Sequence, residues 1–185
     1  MRWRNTEDSY GVVSVALHWL MGFAVVGLFG LGVYMRSLTY ADAWYLPGPY
    51  IHKSAGVLLF IVLAARLAWR FVSPPPRVPL TLTPLARRSA ALVHVLFYVL
   101  LFAITLSGYL ISTADGRPIE VFGWFAIPAT VTSIPHQADL AGSVHLILAY
   151  CVMALAAVHA LAALKHQFVD RDRTLLRMLG RGGLP

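Results

Sequence analysis

Four apolar segments, each long enough to cross a membrane, constrain this chain more than any other feature. They cover about residues 12–34, 51–72, 90–112 and 140–164. At 1.5 Å per helical residue, each segment spans the roughly 30 Å of a bilayer core. With 58% hydrophobic and 12% charged residues, the 185-residue chain leaves no room for a separate soluble catalytic domain. The sequence predicts an all-α fold, an integral membrane four-helix bundle with antiparallel up-down-up-down topology, in one transmembrane domain over residues 1–185.

The positively charged residues lie mostly on one side of this predicted bundle. Of the fifteen Lys and Arg residues, only three lie on the other side: Arg36, Lys53 and Arg117. Because loops rich in Lys and Arg stay in the cytoplasm, both termini are predicted to be cytoplasmic. The net charge of +7 therefore reflects membrane topology rather than nucleic-acid binding. The twelve residues on the cytoplasmic side are Arg2, Arg4, Arg66, Arg70, Arg77, Arg87, Arg88, Lys165, Arg171, Arg173, Arg177 and Arg181.

Two of the three connections and the C-terminal tail have compositions that predict their roles. The cytoplasmic connection Ser73–Pro84 is rich in proline, which predicts a stiff spacer. The periplasmic loop 113–139 is long for a helix bundle and contains the aromatic stretch Phe122–Ile127. That stretch is an interfacial segment, a lid where an external electron partner docks, or both. Residues 165–185 form a cytoplasmic tail.

Cysteine usage and the first apolar segment exclude some alternatives. Cys151 is the single cysteine, so no internal disulfide can form, and its position inside the fourth segment indicates a packing role. The sequence has no C-x-x-C-H motif for covalent haem attachment. The first apolar segment is too long for a signal-peptide core and lacks an A-x-A cleavage site, so we expect it to be retained.

Four histidines inside the apolar segments match in pairs by depth. His18 and His159 lie near the cytoplasmic ends of the first and fourth segments, and His52 and His145 lie near the outer ends of the second and fourth. His145 and His159 are close to four helical turns apart, roughly 21 Å along one helix face. Since a histidine in hydrocarbon is costly, each pair predicts a functional site.

The chemistry of two opposed imidazoles in an apolar bundle favours haem. Structural zinc usually takes four nitrogen or sulfur ligands, whereas haem iron takes two axial ligands and its macrocycle fills an apolar slot between helices. Gly22, Gly56 and Gly142 lie three or four residues from a paired histidine and leave room for a macrocycle. With both axial positions filled, two haems at two depths would transfer electrons across the bilayer rather than bind oxygen.

The remaining histidines and several cations have competing interpretations. His94 begins the third segment and is predicted to pack or to form a hydrogen bond, while His136 is predicted to be solvated. His166 is a surface histidine or a contact for a headgroup or quinone. Cations near each surface are membrane anchors or partners of the haem propionates. These candidates are Lys53 and Arg117 on the outer side and Arg66, Arg70 and Lys165 on the inner side.

Over almost its whole length the chain resembles the bacterial di-haem cytochrome b561 family. The resemblance is closest to the YceJ-type members, which occur beside a lipocalin-like periplasmic protein that binds polyprenyl lipid. The motifs that carry the resemblance are Tyr10-Gly11-Val12, Leu17-His18-Trp19-Leu20, Ile51-His52-Lys53-Ser54-Ala55-Gly56, Arg66-Leu67-Ala68-Trp69-Arg70, Ser73-Pro74-Pro75-Pro76, Gly108-Tyr109-Leu110-Ile111-Ser112-Thr113-Ala114-Asp115-Gly116, Val121-Phe122-Gly123-Trp124-Phe125 and Asp172-Arg173-Thr174-Leu175-Leu176-Arg177-Met178.

The resemblance implies two non-covalent haem b groups ligated by His18, His52, His145 and His159. It also implies an inner-membrane location and electron exchange with ubiquinone. One characterised member of the family oxidises superoxide on the periplasmic side and reduces ubiquinone, and its quinone-associated histidine falls on His166 here. Lys53 and Arg117 would suit attraction of a small anion.

Three further functions remain open from the sequence. The protein could be an electron-transfer module for a periplasmic partner such as the lipocalin-like protein. It could instead be a haem-carrying membrane anchor for a dehydrogenase or hydrogenase. A histidine-lined metal or proton carrier is disfavoured, because such pathways usually use carboxylates within the membrane.

Overall fold

Within residues 2–78, 83–172 and 174–181, which the computed structural model describes, the chain is mostly helical. The long helices are α1 (Val12–Met35), α2 (Pro47–Val72), α3 (Pro84–Thr113) and α4 (Gln137–Lys165). Two short strands, β1 (Ile119–Val121) and β2 (Phe125–Ile127), lie between α3 and α4. A π-helical turn over His166–Asp170 continues from α4, and a short helix α5 (Thr174–Met178) follows it.

Each of the four long helices can cross a membrane. All of them contain an 18-residue window with a mean hydropathy of 1.9 or more, and the fourth apolar span extends through the π-helical turn to Asp170. Successive membrane crossings must alternate in direction, so four crossings bring both ends of the chain to the same side. The prediction of an all-α, multi-pass membrane fold is thus confirmed.

Three of these helices begin earlier than the apolar segments that reveal them. Helices α2 and α3 each begin at a proline, a residue that is favoured in the first helical turn because its missing N–H needs no partner there. At α3, the Thr83 hydroxyl accepts a hydrogen bond of 3.2 Å from the Ala86 N–H. Helix α4 begins at Gln137 rather than near residue 140. Consequently His52 and His94 lie inside their helices, not at the first residues.

The loop between α3 and α4 contains a β-hairpin that the sequence analysis did not predict. Strands β1 and β2 are antiparallel, and Val121 pairs with Phe125. Phe122 and Gly123 both have positive φ, at 49° and 72°, and the Trp124 N–H donates to the Val121 carbonyl across them. Ile119 and Val121 are buried, whereas Trp124 is 71% exposed. The hairpin therefore has an anchored strand and an exposed aromatic side.

The end of α4 is also more structured than a plain tail. Arg171 adopts a left-handed conformation with φ of 54°, which terminates the π-helical turn. Asp172 then accepts a 3.0 Å hydrogen bond from the Thr174 N–H and caps α5. Arg177 of α5 is buried, and one of its N–H groups donates to the Arg77 carbonyl at 3.2 Å.

The chain divides into two compact units, each containing parts of all four long helices. The first, here called the terminal unit, comprises Met1–Met21, Val62–Tyr98 and Ala154–Pro185. The second, here called the hairpin unit, comprises Gly22–Ile61 and Val99–Met153. The single-domain assignment of the chain stays a prediction.

In the terminal unit, the segment before α1 is held against the proline-rich connection. Asn5 donates from its backbone to the Ser73 hydroxyl at 2.9 Å and from its side chain to the carbonyls of Ser73 and Pro74. Glu7 forms an exposed ion pair of 2.7 Å with Arg77. The predicted stiff spacer includes residues 79–82, and the tail includes Arg173 and residues 182–185; these positions lie outside the described residues.

Candidate haem-binding sites

In the hairpin unit, His52 of α2 and His145 of α4 face each other. Their ring centroids are 6.2 Å apart and their planes make an angle of 68°. Both side chains are half-buried. The Nδ1 atom of His52 is buried and has no hydrogen-bond partner among the described residues. These two histidines were paired by depth in the sequence analysis, and the structure brings them together.

The orientation of His145 is set by hydrogen bonds from α3. Its Nδ1 lies 3.0 Å from the Ile104 carbonyl oxygen and 3.0 Å from the Ser107 hydroxyl oxygen. Because a carbonyl only accepts, Nδ1 carries the proton, and the Nε2 atom of a neutral imidazole has its lone pair free. The Ser107 hydroxyl itself donates to the Ile104 carbonyl at 2.8 Å. His145 is thus held in the tautomer that can bind a metal through Nε2.

Two glycines allow helices to approach these rings closely. A Cβ atom on Gly32 would lie 3.3 Å from Cε1 of His52, and one on Gly108 would lie 3.2 Å from Cε1 of His145. Those distances are tighter than ordinary van der Waals contact. Each histidine of the pair is therefore packed against a glycine of a neighbouring helix.

In the terminal unit, His18 of α1 and His159 of α4 form a second pair with nearly the same geometry. Their ring centroids are also 6.2 Å apart, with an interplanar angle of 62°. His159 additionally contacts His94 and Phe97 of α3, at centroid distances of 5.6 and 5.5 Å. The structure therefore places His94 beside this pair in a packing contact, which agrees with the role predicted for it.

Arg66 of α2 lies against His18 rather than extending away from the helices. Its Nη2 atom is 3.1 Å from the His18 Nδ1, and its Nη1 donates toward the Met21 sulfur at 3.7 Å. The Arg66 side chain is half-buried, whereas Arg70 is exposed. A guanidinium has no acceptor, so Arg66 donates this hydrogen bond. Arg66 thus contacts a paired histidine directly.

The spacing of both pairs fits a shared metal atom between the rings. Metal–imidazole bonds of about 2.0 Å on each side, with each ring centre about 1 Å beyond its nitrogen, put two axial rings about 6 Å apart. The observed separation is 6.2 Å in both pairs. Within the described ranges, no three His, Cys, Asp or Glu residues are grouped as metal ligands, but haem iron needs only two from the protein.

Three glycines near the paired histidines lie beside open space. A Cβ atom added to Gly56 or Gly142 would meet no neighbouring atom within 4 Å, and the same holds for Gly22. Gly56 follows His52 by one turn of α2, and Gly142 precedes His145 by almost one turn of α4. The spacing of the paired rings therefore fits haem, and open space lies beside these glycines.

The other candidate cations have different surroundings. Lys53 is exposed beside His52. Arg117 is tied to Asp115, with its Nε–H donating to the carboxylate at 2.7 Å. The hydrogen bonds from Arg117 hold the pKa of Asp115 below its usual value, and the carboxylate in turn raises the pKa of Arg117. Lys165 pairs with Asp170 at 2.7 Å. Among these, Arg117 and Lys165 already have carboxylate partners.

His166, the candidate quinone contact, opens the π-helical turn. Its Nδ1 lies 3.0 Å from Asp170 Oδ2 and 2.9 Å from Asp172 Oδ2, and the Asp172 side chain is 1% exposed. His136, predicted to be solvated, is exposed and has a positive φ of 54°. His166 therefore lies in an acidic environment, whereas His136 belongs to the exposed loop before α4.

Sequence reasoning missed the polar residues that support these sites. Ser107 is buried at 5% exposure and bonds to His145, and Ser54 is fully buried beside His52 and Lys53. The Ser54 hydroxyl donates to the Glu120 carbonyl at 3.1 Å and accepts from the Phe122 N–H at 3.3 Å. Neither serine gives a distinct sequence signal, because serine is common in membrane helices. Ser54 lies two residues after His52, and Ser107 lies about one helical turn after Ile104.

The chain is similar to several known proteins. The family model described as prokaryotic cytochrome b561 matches residues 9–181. The chain is 50% identical to cytochrome b561 homolog 2 of Escherichia coli K12, over 98% of this chain and 96% of that protein. It is 28% identical to a Yersinia pestis protein named "Probable superoxide oxidase CybB", over 94% of this chain and 97% of the relative. It is also 28% identical to cytochrome b562 of Cereibacter sphaeroides, over 94% and 96% of the two chains.

Proposed function

Because the chain belongs to the prokaryotic cytochrome b561 family of membrane electron-transfer haem proteins, we propose that it holds two haem b groups. One binds between His18 and His159, and the other between His52 and His145. Bound in this way, each iron has no free coordination position and supplies one-electron transfer. The protein then exchanges electrons between the periplasmic side and ubiquinone in the inner membrane.

The observation that carries this proposal is the equal spacing of the two pairs. Both have ring centroids 6.2 Å apart, in two different units of the chain. The contact between His94 and His159 is shorter, at 5.6 Å, which leaves less room for a metal atom between those rings. The spacing therefore favours His18 over His94 as the partner of His159.

The test is the haem content of the purified protein and of single variants. The parent should contain two haem b per chain, by pyridine haemochrome quantitation and the reduced-minus-oxidised spectrum. His18→Ala and His159→Ala should each leave only the haem of the His52/His145 pair, and His52→Ala and His145→Ala should do the reverse. His94→Ala is the matched control and should retain both. Haem loss in His94→Ala with retention in His18→Ala would overturn the pairing.

Superoxide is the proposed electron donor on the periplasmic side. The support is the relative named for superoxide oxidase and the exposed cation Lys53 beside His52, which would attract a small anion. Electron-balanced oxidation of superoxide releases one electron and O₂, and two such electrons with two protons reduce ubiquinone to ubiquinol. His166, which opens the π-helical turn after α4, is the proposed contact for the quinone.

Stopped-flow mixing of the oxidised protein with superoxide measures this activity. We expect haem reduction near the diffusion limit, followed by reoxidation on addition of ubiquinone. Lys53→Gln should slow the first phase at low salt, and His166→Ala should slow the second. Haem reduction that is slow in every condition would leave the two haems in place but remove superoxide as the donor.

A periplasmic protein partner is the second candidate donor or acceptor. The observation in its favour is the hairpin β1–β2, where Trp124 is 71% exposed and Phe125 is 39% exposed. The lipocalin-like lipid-binding protein implied by the family resemblance is the proposed partner. Association with that protein, measured by co-purification and lost in Trp124→Ser, would support this candidate. Full activity with small donors and no association at any concentration would exclude it.

A further inference from the structure

The two proposed sites differ in what faces the Nδ1 atom of a ligand histidine. In the hairpin unit, the Nδ1–H of His145 donates to the Ile104 carbonyl and the Ser107 hydroxyl, both at 3.0 Å. In the terminal unit, the Nδ1 of His18 faces the guanidinium of Arg66 at 3.1 Å. One ligand thus faces hydrogen-bond acceptors, and the other faces a positive charge.

Acceptors at Nδ1 make an imidazole a stronger electron donor to its metal. A ligating histidine that gives its other N–H to a carbonyl gains basicity, and hydrogen bonding of this kind is one of the means by which a protein tunes haem iron. His145 has two such acceptors. Greater electron donation stabilises the ferric state, so the hydrogen bonds of Ile104 and Ser107 lower the reduction potential at the His52/His145 site.

A fixed positive charge has the opposite effect. When a neutral His18 binds metal through Nε2, its proton resides on Nδ1, so Nδ1 can no longer accept the hydrogen bond that Arg66 donates in this structure, and that bond breaks. Arg66 then acts at this site as a nearby cation rather than as a hydrogen-bond partner of His18. Positive charge stabilises the ferrous state, which carries one charge less.

Each haem would bring the same two propionates to its site. The propionates therefore add the same negative charge at both sites and leave the difference between the protein groups unchanged. In the hairpin unit, Lys53 beside His52 is exposed, where solvent screens its charge, and Arg117 is already paired with Asp115. Arg66 of the terminal unit is half-buried against His18 and Met21. From these contacts, and resting on the proposed function, we infer that the His18/His159 haem has the higher reduction potential. In the one-electron-reduced protein, the electron therefore resides at the His18/His159 site, and Ser107 and Arg66 are the positioning residues that set this order.

The test is a redox titration of the intact protein followed by optical and EPR spectroscopy. His52→Ala and His18→Ala, each with one remaining haem, assign the two sets of signals. We expect the His18/His159 signals to be reduced first. Ser107→Ala removes one acceptor from His145 and should raise the potential of the other haem alone, with Ser107→Thr restoring it. Arg66→Gln should lower the potential of the His18/His159 haem alone, and Arg66→Lys should retain it.

The expected changes are up to about tenfold in each one-electron reduction equilibrium, which corresponds to 59 mV. A general loss of packing would not raise the potential of one haem in Ser107→Ala and lower the potential of the other haem in Arg66→Gln. If the His52/His145 haem is reduced first, or if Ser107→Ala and Arg66→Gln move neither potential, the inference is overturned. Single-histidine variants that fail to retain one haem each would instead overturn the proposed function.

Discussion

The indole Nε1–H of Trp19 donates a 2.8 Å hydrogen bond to the carbonyl oxygen of Met178, which ties α5 to α1. Trp19 also meets the His18 ring edge to face, at a centroid distance of 5.4 Å. The last residue of α5 is thus anchored one residue away from a proposed haem ligand. This contact explains how a helix of five residues is held in place although it is too short to be stable alone.

We predict that Trp19→Phe releases α5. The change keeps an aromatic ring beside His18 but removes the N–H, at a cost of about 1 kcal/mol for the lost hydrogen bond. Amide hydrogen exchange over residues 174–178 should become faster. Trp69→Phe is the matched control, because it removes a 3.0 Å bond to Ser14 within the same unit but none to α5. Equal protection of α5 in Trp19→Phe and in the parent would contradict the prediction.

A second prediction concerns the attachment of the hairpin to α2. Ser54→Ala removes the hydroxyl that bridges the Glu120 carbonyl and the Phe122 N–H, leaving both backbone groups without this partner. The expected destabilisation of the hairpin is about 1–3 kcal/mol. Exchange of the Phe122 amide and the emission of Trp124 should report the loosening.

Ser112→Ala provides the control for this change. The Ser112 hydroxyl donates only to the Gly108 carbonyl of its own helix, at 2.8 Å. Its loss should leave the hairpin amides protected. Were Ser112→Ala to loosen the hairpin as much as Ser54→Ala, the bridge through Ser54 would not be the anchor.

The sequence was sufficient for the features that the membrane itself dictates. Hydrocarbon requires long apolar helices, so four apolar runs identified four crossings. Antiparallel helices also align residues that lie equally far from a surface, which is why the sequence alone is enough to pair His52 with His145 by depth. This pairing requires only the ends of the apolar segments, which are visible in the sequence, and the rise of 1.5 Å per helical residue.

Features that depend on helix rotation or on local backbone conformation could not be read in this way. Ser107 faces His145 only because of how α3 is rotated, and Arg66 turns toward His18 although an arginine near a helix end commonly extends to the headgroups. The hairpin turn places Phe122 at a φ of 49°, a conformation that bulky residues rarely adopt. The ring contact of Phe122 with Tyr50 and its bond to Ser54 support this conformation, and both are tertiary.

A third prediction addresses the close approach of α3 to His145. In Gly108→Ala, the new methyl group would lie 3.2 Å from the His145 Cε1. The ring cannot move away without losing its bonds to Ile104 and Ser107, so we expect a cost of about 1–3 kcal/mol. Haem should be lost from the His52/His145 site while the other haem stays.

Gly30→Ala is the matched control for Gly108→Ala. A Cβ atom at Gly30 meets nothing within 4 Å. Replacing a helical glycine by alanine at such a position should stabilise α1 by up to about 1 kcal/mol and leave both haems bound. Retention of two haems in Gly108→Ala, with unchanged spectra, would show that the ring tolerates the methyl group.

The last prediction concerns the ion pair of Asp115 and Arg117 at the start of the loop between α3 and α4. The side chain of Arg117 is the main cause of the lowered pKa of Asp115, and its backbone N–H adds a 3.1 Å bond to the same carboxylate. A carboxyl group whose pKa is lower in the folded state stabilises that state above its unfolded pKa, and the contribution is lost as the pH falls. Arg117→Gln should therefore raise the pKa of Asp115 toward its usual value, though not fully, because the backbone bond remains.

A ¹³C NMR titration of labelled aspartate measures this shift, with Asp42 as an internal reference. The pKa of Asp42 is also lowered, but by hydrogen bonds of 2.7 and 2.8 Å from the Thr39 backbone and hydroxyl rather than by a cation. Asp42 should therefore titrate identically in the parent and in Arg117→Gln. Salt should weaken the Asp115 shift in the parent more than the Asp42 shift, since an exposed ion pair is screened. An Asp115 titration unchanged by Arg117→Gln would mean that the backbone bond alone lowers its pKa, and that the Arg117 guanidinium is free to bind an anion.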